Sequence, residues 1–184
     1  MDNIPTGTVL LNPVEVFKKI GLGLGMTVGD FGCGGAAHFT LPAARIVGNR
    51  GVVWAVDILK SALSSVVSKA RLAGLGNIRT VWSNLEIFGA TKVVPDNSVD
   101  VGLIVNVIHQ TQKPLSVLKE AGRMIKTGGK LTVIDWKTGR ASFGPSERQL
   151  VLPDRVKQMA SELKLTAGEE FEAGPFHYGL VLVK

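Results

Sequence analysis

The run Gly25-Met26-Thr27-Val28-Gly29-Asp30-Phe31-Gly32-Cys33-Gly34-Gly35-Ala36-Ala37, continued through Gly48-Asn49-Arg50-Gly51 to Val52-Val53-Trp54-Ala55-Val56-Asp57, decides the fold. Thr27–Phe31 reads as a short strand ended by glycines. Ala36 to Val47 is apolar at helical spacing, with Pro42 expected to bend that helix or limit its start. A glycine turn at 48–51 leads into a second apolar strand, Val52–Val56, which stops at Asp57. Strands that are continuously apolar, and that alternate with helices, predict a parallel sheet covered on both faces.

The same alternation extends outward. Upstream, residues 1–12 read as a flexible polar arm, and Pro13–Ile20 as a short helix capped by Asn12. Downstream, Ser61–Leu72 is an amphipathic helix, Ile78–Trp82 a strand, and residues 84–98 a short helix and loop. Val99–Val105 is a buried strand, Pro114–Ile125 a helix ending before Gly128-Gly129, and Lys130–Ile134 a strand. After a loop, Pro153 opens a helix to about Leu163. Thr166–Ala173 and Phe176–Val183 are separated only by Gly174-Pro175, so they form an antiparallel hairpin. The expectation is an α/β, Rossmann-like doubly wound sheet built by residues 1–184 as a single domain.

Composition narrows the class. The chain has 184 residues, 45% of them hydrophobic, which suits a packed globular core. A single cysteine, Cys33, excludes an intrachain disulfide framework and a multi-thiolate zinc site, and no metal site is expected. No apolar run reaches the ~18 residues of a membrane span. No basic-then-hydrophobic leader follows Met1, so a cytoplasmic location is expected. The net charge of +6 allows attraction to nucleic acid or anionic lipid, but the cations are scattered rather than blocked.

In an open parallel sheet, ligands sit beyond the carboxyl ends of the strands. Gly32-Cys33-Gly34-Gly35-Ala36-Ala37 satisfies the G-x-G-x-x-G/A pattern of a dinucleotide loop. Asp30, two positions earlier, changes that reading: a carboxylate within ~5 Å repels a pyrophosphate and attracts a sulfonium zwitterion. The alternative is a tight turn with a capping aspartate. Asp57, 25 residues after Gly32, is placed to accept from two ribose hydroxyls or to cap the next helix. Asn84 can pair with an adenine edge, or Ser83 or Asn84 can cap a helix. His109, in Asn106-Val107-Ile108-His109, is either a base or a structural residue beside the ligand. Asp135 is a second, weaker base candidate. His38 reads as a first-turn or pocket-wall residue, and His177 lies in the tail hairpin. Phe39, Trp136, Phe143 and Phe176 can line an acceptor pocket or the core, and Arg140 and Arg148 can clamp an anion or be solvated.

At these residues the chain resembles the class I S-adenosylmethionine (SAM) dependent methyltransferases, in the flavour of ubiquinone/menaquinone biosynthesis. Residues 25–58 resemble that family's first two motifs and Pro95–Thr111 its fourth. Leu118–Lys137 and Phe171–Lys184 resemble the following helix and strand and the terminal hairpin. The resemblance implies a seven-stranded sheet with the last strand antiparallel, SAM as cofactor with S-adenosylhomocysteine as product, and a small-molecule acceptor. It also implies cofactor contacts from Asp30, Gly32, Cys33, Gly34, Asp57, Ile58, Asn84, Leu85 and Asn106. The alternatives are an RNA- or protein-directed methyltransferase, or a SAM-binding relative without catalysis. Gly35-Ala36 and Asn84 depart from the usual pattern. Asn-Val-Ile-His in the fourth motif stands apart from the Asp/Asn-Pro-Pro-Tyr/Phe of base amino-group methylases. Lone Cys33 does not suit thiol-assisted arsenite methylation.

Overall fold

The computed structural model describes residues 11–138 and 144–184. Helix α1 (Pro13–Ile20) starts at Asn12, whose side chain accepts from the amides of Val14 and Glu15, and ends at Gly21 in the left-handed region. Then follow β1 (Thr27–Phe31), α2 (Thr40–Val47), β2 (Val52–Asp57), α3 (Lys60–Leu72), β3 (Ile78–Trp82) and β4 (Val99–Val105). The chain closes with α4 (Pro114–Met124), β5 (Ile125–Trp136), α5 (Pro153–Glu162), β6 (Thr166–Gly174) and β7 (His177–Val183). The sheet runs β3-β2-β1-β4-β5-β7-β6, and β7 is antiparallel to both of its neighbours.

Alternate residues of the central strands feed the two helical layers. On one face Val28, Val53, Val101 and Leu103 pack with Phe17 and Ile20 of α1 and with Ala43, Ala44 and Val47 of α2. Beside them Ala55 meets Leu63 and Val66 of α3. On the other face Phe31, Val56, Val81 and Ile104 pack against Val117, Leu118 and Met124 of α4 and Val156 and Met159 of α5. Gly29 and Gly102 are cross-strand partners, and a Cβ on either would lie within 3 Å of the Phe31 ring. The two glycines therefore seat the aromatic residue that ends β1, just below the glycine loop.

Three expected elements come out differently. The helix expected from Ala36 begins only at Thr40: Ala37 is left-handed, and the Thr40 hydroxyl donates to Asp30 at 2.5 Å. Residues 84–98 form turns and no helix. Their backbone is claimed from outside, because buried Glu120 of α4 accepts from the amides of Gly89 (2.7 Å) and Thr91 (3.0 Å). The strand expected from Lys130 begins at Ile125, and Gly128-Gly129 form an irregularity within it instead of a break. Lys184 closes that irregularity, donating to Gly129 and accepting from Gly128.

Glu120 is the pin of this side of the molecule. Burial raises its pKa, but two hydrogen bonds from Arg123 and those from Gly89 and Thr91 outweigh that and hold it down at about 2. Arg123 also pairs with Asp96. Replacing Glu120 by Ala is expected to destabilise the fold by about 3–5 kcal/mol, because Arg123 and two amides lose their partner. The wild type, with a carboxyl pKa below its unfolded value, should lose this contribution as pH falls from about 4.5 toward about 2. Thermal unfolding of both proteins across that range checks it; equal melting temperatures would refute the role.

Candidate active site

The site is assembled at the carboxyl ends of β1, β2 and β4. Gly32 has φ +86°, and a Cβ there would lie 2.4 Å from Val107 Cγ2, so the β1 and β4 ends approach this closely only with glycine. The amides of Gly32 and Cys33 both donate to the Val56 carbonyl, at 2.8 and 3.1 Å. Gly34 N donates to Asp57 Oδ2 at 2.9 Å, and Leu59 N donates to Asp57 Oδ1 at 2.8 Å. One carboxylate thus ties the glycine loop to the corner after β2, and each oxygen keeps capacity for a further donor.

A cavity of about 340 Å³ opens beside this clamp. Of the residues singled out in the sequence, Gly32, Gly34, Asp57, Ile58, Asn84, Leu85 and Asn106 line it. Asp30, beneath the loop, and Cys33, within it, do not line the cavity, and both are buried. Burial raises the Asp30 carboxyl; the Thr40 hydrogen bond lowers it in part and Asp57 adds to the rise, leaving it at about 6. Burial, followed by the negative charges of Asp30 and Asp57, pushes the Cys33 thiol well above its ordinary range, so it stays neutral. Asn84 Oδ1 accepts from Glu86 N at 2.9 Å, which makes Asn84 a turn former, with its amide NH2 still able to donate. Ser83 instead pairs with Thr91 at 2.9 Å, buried under the loop.

Asn106 sits where strand order reverses, at φ +54°, with its amide nitrogen on Ile134 O. Its Oδ1 is buried without a partner, an arrangement that calls for a ligand donor such as an ammonium group. Together with the open space over Gly34 and the free lone pairs of Asp57, this fits an adenosyl amino acid.

His109 does not line the cavity. Its Nδ1 lies 2.7 Å from Asp135 Oδ1 at the end of β5. Asp135 is fully buried and also accepts from the amides of Trp136 (2.8 Å) and His109 (3.4 Å). That places the Nδ1 proton toward Asp135 and leaves Nε2 as the basic nitrogen. His177 is buried beside this pair, its ring 4.4 Å from that of Trp136 and both of its nitrogens unpartnered. Burial lowers its pKa to about 4; Asp135 opposes the shift, while His109 and Lys137 add to it. His38 donates from Nε2 to Leu11 O at 2.8 Å and packs on Phe39, which belongs to the core. Arg148 falls in an exposed turn, whereas Arg140 and Phe143 lie outside the described residues. The sequence reading missed the pairing of His109 with Asp135, 26 residues apart, and the part played by Glu86, which lines the cavity and accepts from Thr111 at 2.5 Å.

This strand order, with its reversed seventh strand and a glycine loop clamped by an aspartate, defines a class I SAM-dependent methyltransferase. The profile of the family described as "Methyltransferase domain" matches residues 23–177, and the chain belongs to that family. It is 27% identical over 121 residues to the demethylmenaquinone methyltransferase of Geobacillus kaustophilus, covering 66% of this chain and 50% of that protein. To a ubiquinone/menaquinone biosynthesis C-methyltransferase of Shewanella frigidimarina it is 32% identical over 115 residues, or 62% and 44% of the two chains. The chain thus spans about half the length of the curated relatives it matches. Among solved structures, a SAM-dependent methyltransferase from Aquifex aeolicus superposes with a TM-score of 0.86 at 27% identity, covering 97% and 93% of the two chains. A putative type 11 methyltransferase from Sulfolobus solfataricus gives 0.75 at 25% identity, covering 95% and 93%. The cofactor is S-adenosylmethionine.

Two measurements probe this arrangement. Asp57→Ala should weaken S-adenosylhomocysteine binding about 100-fold in calorimetry, the loss of two charge-assisted hydrogen bonds; unchanged affinity would remove Asp57 from the contact set. Affinity for SAM should rise with pH up to about 6 and then level off, because a cationic ligand favours the ionised Asp30 and its binding releases a proton. In Asp30→Asn that slope should vanish; an equal slope in both proteins would assign the titration elsewhere.

Proposed function

We propose that the protein methylates a small, hydroxylated or quinol-like acceptor, with His109 as the proton acceptor. The observation that carries this reading is the His109–Asp135 pair, which stands beside the cofactor cavity and not in it. When bound, SAM supplies an electrophilic methyl group. Asp57 would hold the ribose, Asn84 and Leu85 the adenine edge, and Asn106 with the glycine loop the amino-acid end. Most of the acceleration comes from alignment and exclusion of water, which can be worth roughly 7–11 kcal/mol.

A base is required when the attacking atom must lose a proton, as a ring carbon or a phenol does. His109 Nε2 takes that proton, and the Asp135 carboxylate beside Nδ1 stabilises the resulting imidazolium. His177 stays neutral above about pH 4, so it leaves the positive charge of the pair to His109. The names of the quinone-biosynthesis relatives support an acceptor of this class.

A screen with labelled methyl donor against hydroxylated naphthoquinols and related phenols tests the reading. Label appearing in RNA or protein and in none of the small molecules would overturn it. With an accepted substrate, His109→Ala should reduce kcat by roughly 10²–10⁴ while S-adenosylhomocysteine affinity stays as in the wild type. Asp135→Asn should reduce kcat as well, because it no longer favours the Nε2-basic tautomer. Wild-type turnover in both variants would dismiss the pair as a catalytic device.

A further inference from the structure

Of the eleven large apolar side chains exposed among the described residues, eight fall within residues 58–93. The same segment holds five Lys or Arg residues and one carboxylate, Glu86, a net +4 of the chain's formal +6. In the fold residues 58–82 form one edge of the molecule, since β3 is the terminal strand of the sheet and α3 packs beside it, while residues 83–93 run on to α4, whose Glu120 holds Gly89 and Thr91; the edge itself keeps five of those eight apolar side chains and four of the cations, with no carboxylate. Lys60, Ser64, Val67 and Arg71 recur at i, i+4, i+7 and i+11, and so share one exposed face of α3, which carries no acidic residue. Trp82 ends β3 with its indole exposed. Its Nε1 donates to Ile58 O at 2.8 Å, and Lys60 Nζ lies 4.5 Å from its ring centre. Ile58 and Leu59, both exposed, are at once the rim of the cofactor cavity and the start of this edge.

Three kinds of partner can be weighed against these residues. A second copy paired edge to edge through β3 would bring the cations of this edge, Arg79 on β3 among them, against those of its partner, a like-charge contact. A nucleic acid would use open aromatic faces for stacking, but Lys60 covers Trp82 and Lys119 covers Phe88, at 4.8 Å. It would also leave the aliphatic Ile58, Leu59, Val67 and Leu72 without a role. An anionic lipid interface uses both sets: aliphatic chains and an indole enter the headgroup boundary while Lys and Arg reach the phosphates. We propose that the α3–β3 edge docks on an anionic membrane surface, with the mouth of the cofactor cavity at the interface. No helix among the described residues is long and apolar enough to cross a membrane.

Co-sedimentation at low salt with vesicles of equimolar phosphatidylglycerol and phosphatidylcholine, compared with pure phosphatidylcholine, tests this. The wild type should bind the anionic vesicles and leave the neutral ones, with a blue shift in tryptophan emission that Trp82→Phe removes. The double change Val67→Ser/Arg71→Glu lies outside the cavity. It should lower partition at least about tenfold, while melting temperature and S-adenosylhomocysteine affinity stay as in the wild type. The proposal fails if the wild type remains in the supernatant or if the double variant partitions equally. It also fails if single-stranded RNA at matched phosphate concentration binds more tightly than the vesicles.

Discussion

The site depends on one carboxylate that serves two loops. Asp57 accepts the amides of Gly34 and Leu59, and these bonds fix where the turn after β1 stands relative to the corner after β2. Charge-assisted bonds to backbone amides are strong and directional, so the loop is held open over the cavity instead of collapsing onto the sheet. The contact is available only because β1 and β2 run parallel with Phe31 opposite Val56, which brings both strand ends to one level. Asp30, one residue lower and buried, adds a second acid beneath the same glycines. Two carboxylates at one turn make this a place for a cationic ligand and a poor one for a diphosphate.

The sheet divides its carboxyl end into two chemical territories. Around β1, β2 and the close approach of Gly32 to Val107 lies the cavity, lined by Asp57, Asn84 and Asn106. Beyond the reversal of strand order, the ends of β4, β5 and β7 carry His109, Asp135 and His177. Left-handed Asn106 is the hinge between the two, and its conformation is tolerable because asparagine enters that region more easily than most side chains. In the proposed reaction the methyl donor would sit on one side and the proton acceptor on the other.

The terminal hairpin completes the second territory. Antiparallel pairing of β7 with β5 sets Tyr178 opposite Asp135 and His177 opposite Trp136, closing off the end of β5 from solvent. Buried there, His177 resists protonation and Asp135 keeps a dry environment for its bond to His109. Low local dielectric strengthens such a bond and makes its geometry more exacting.

Much of this was legible in the chain. Glycine spacing, apolar strands of fixed length and turn residues are local signals, and they specified the strand series, the loop at Gly32–Gly35 and the roles open to Asp57. Pairing across sequence was not legible. Glu120 seizing Gly89 and Thr91, Thr40 bonding Asp30, and His109 meeting Asp135 each join residues whose separation carries no local periodicity. Those contacts overrode the helices expected at Ala36 and in residues 84–98, since a buried carboxylate gains more from fixed amides than a short helix gains from propensity. The sequence by itself determined the class of sheet and the chemistry of its first turn, because both rest on backbone freedom and residue spacing. Only the tertiary structure decided which partner His109 meets, which acids are buried beneath the loop and which apolar side chains remain in water. Those outcomes depend on strand order and on which surfaces the packed layers leave uncovered.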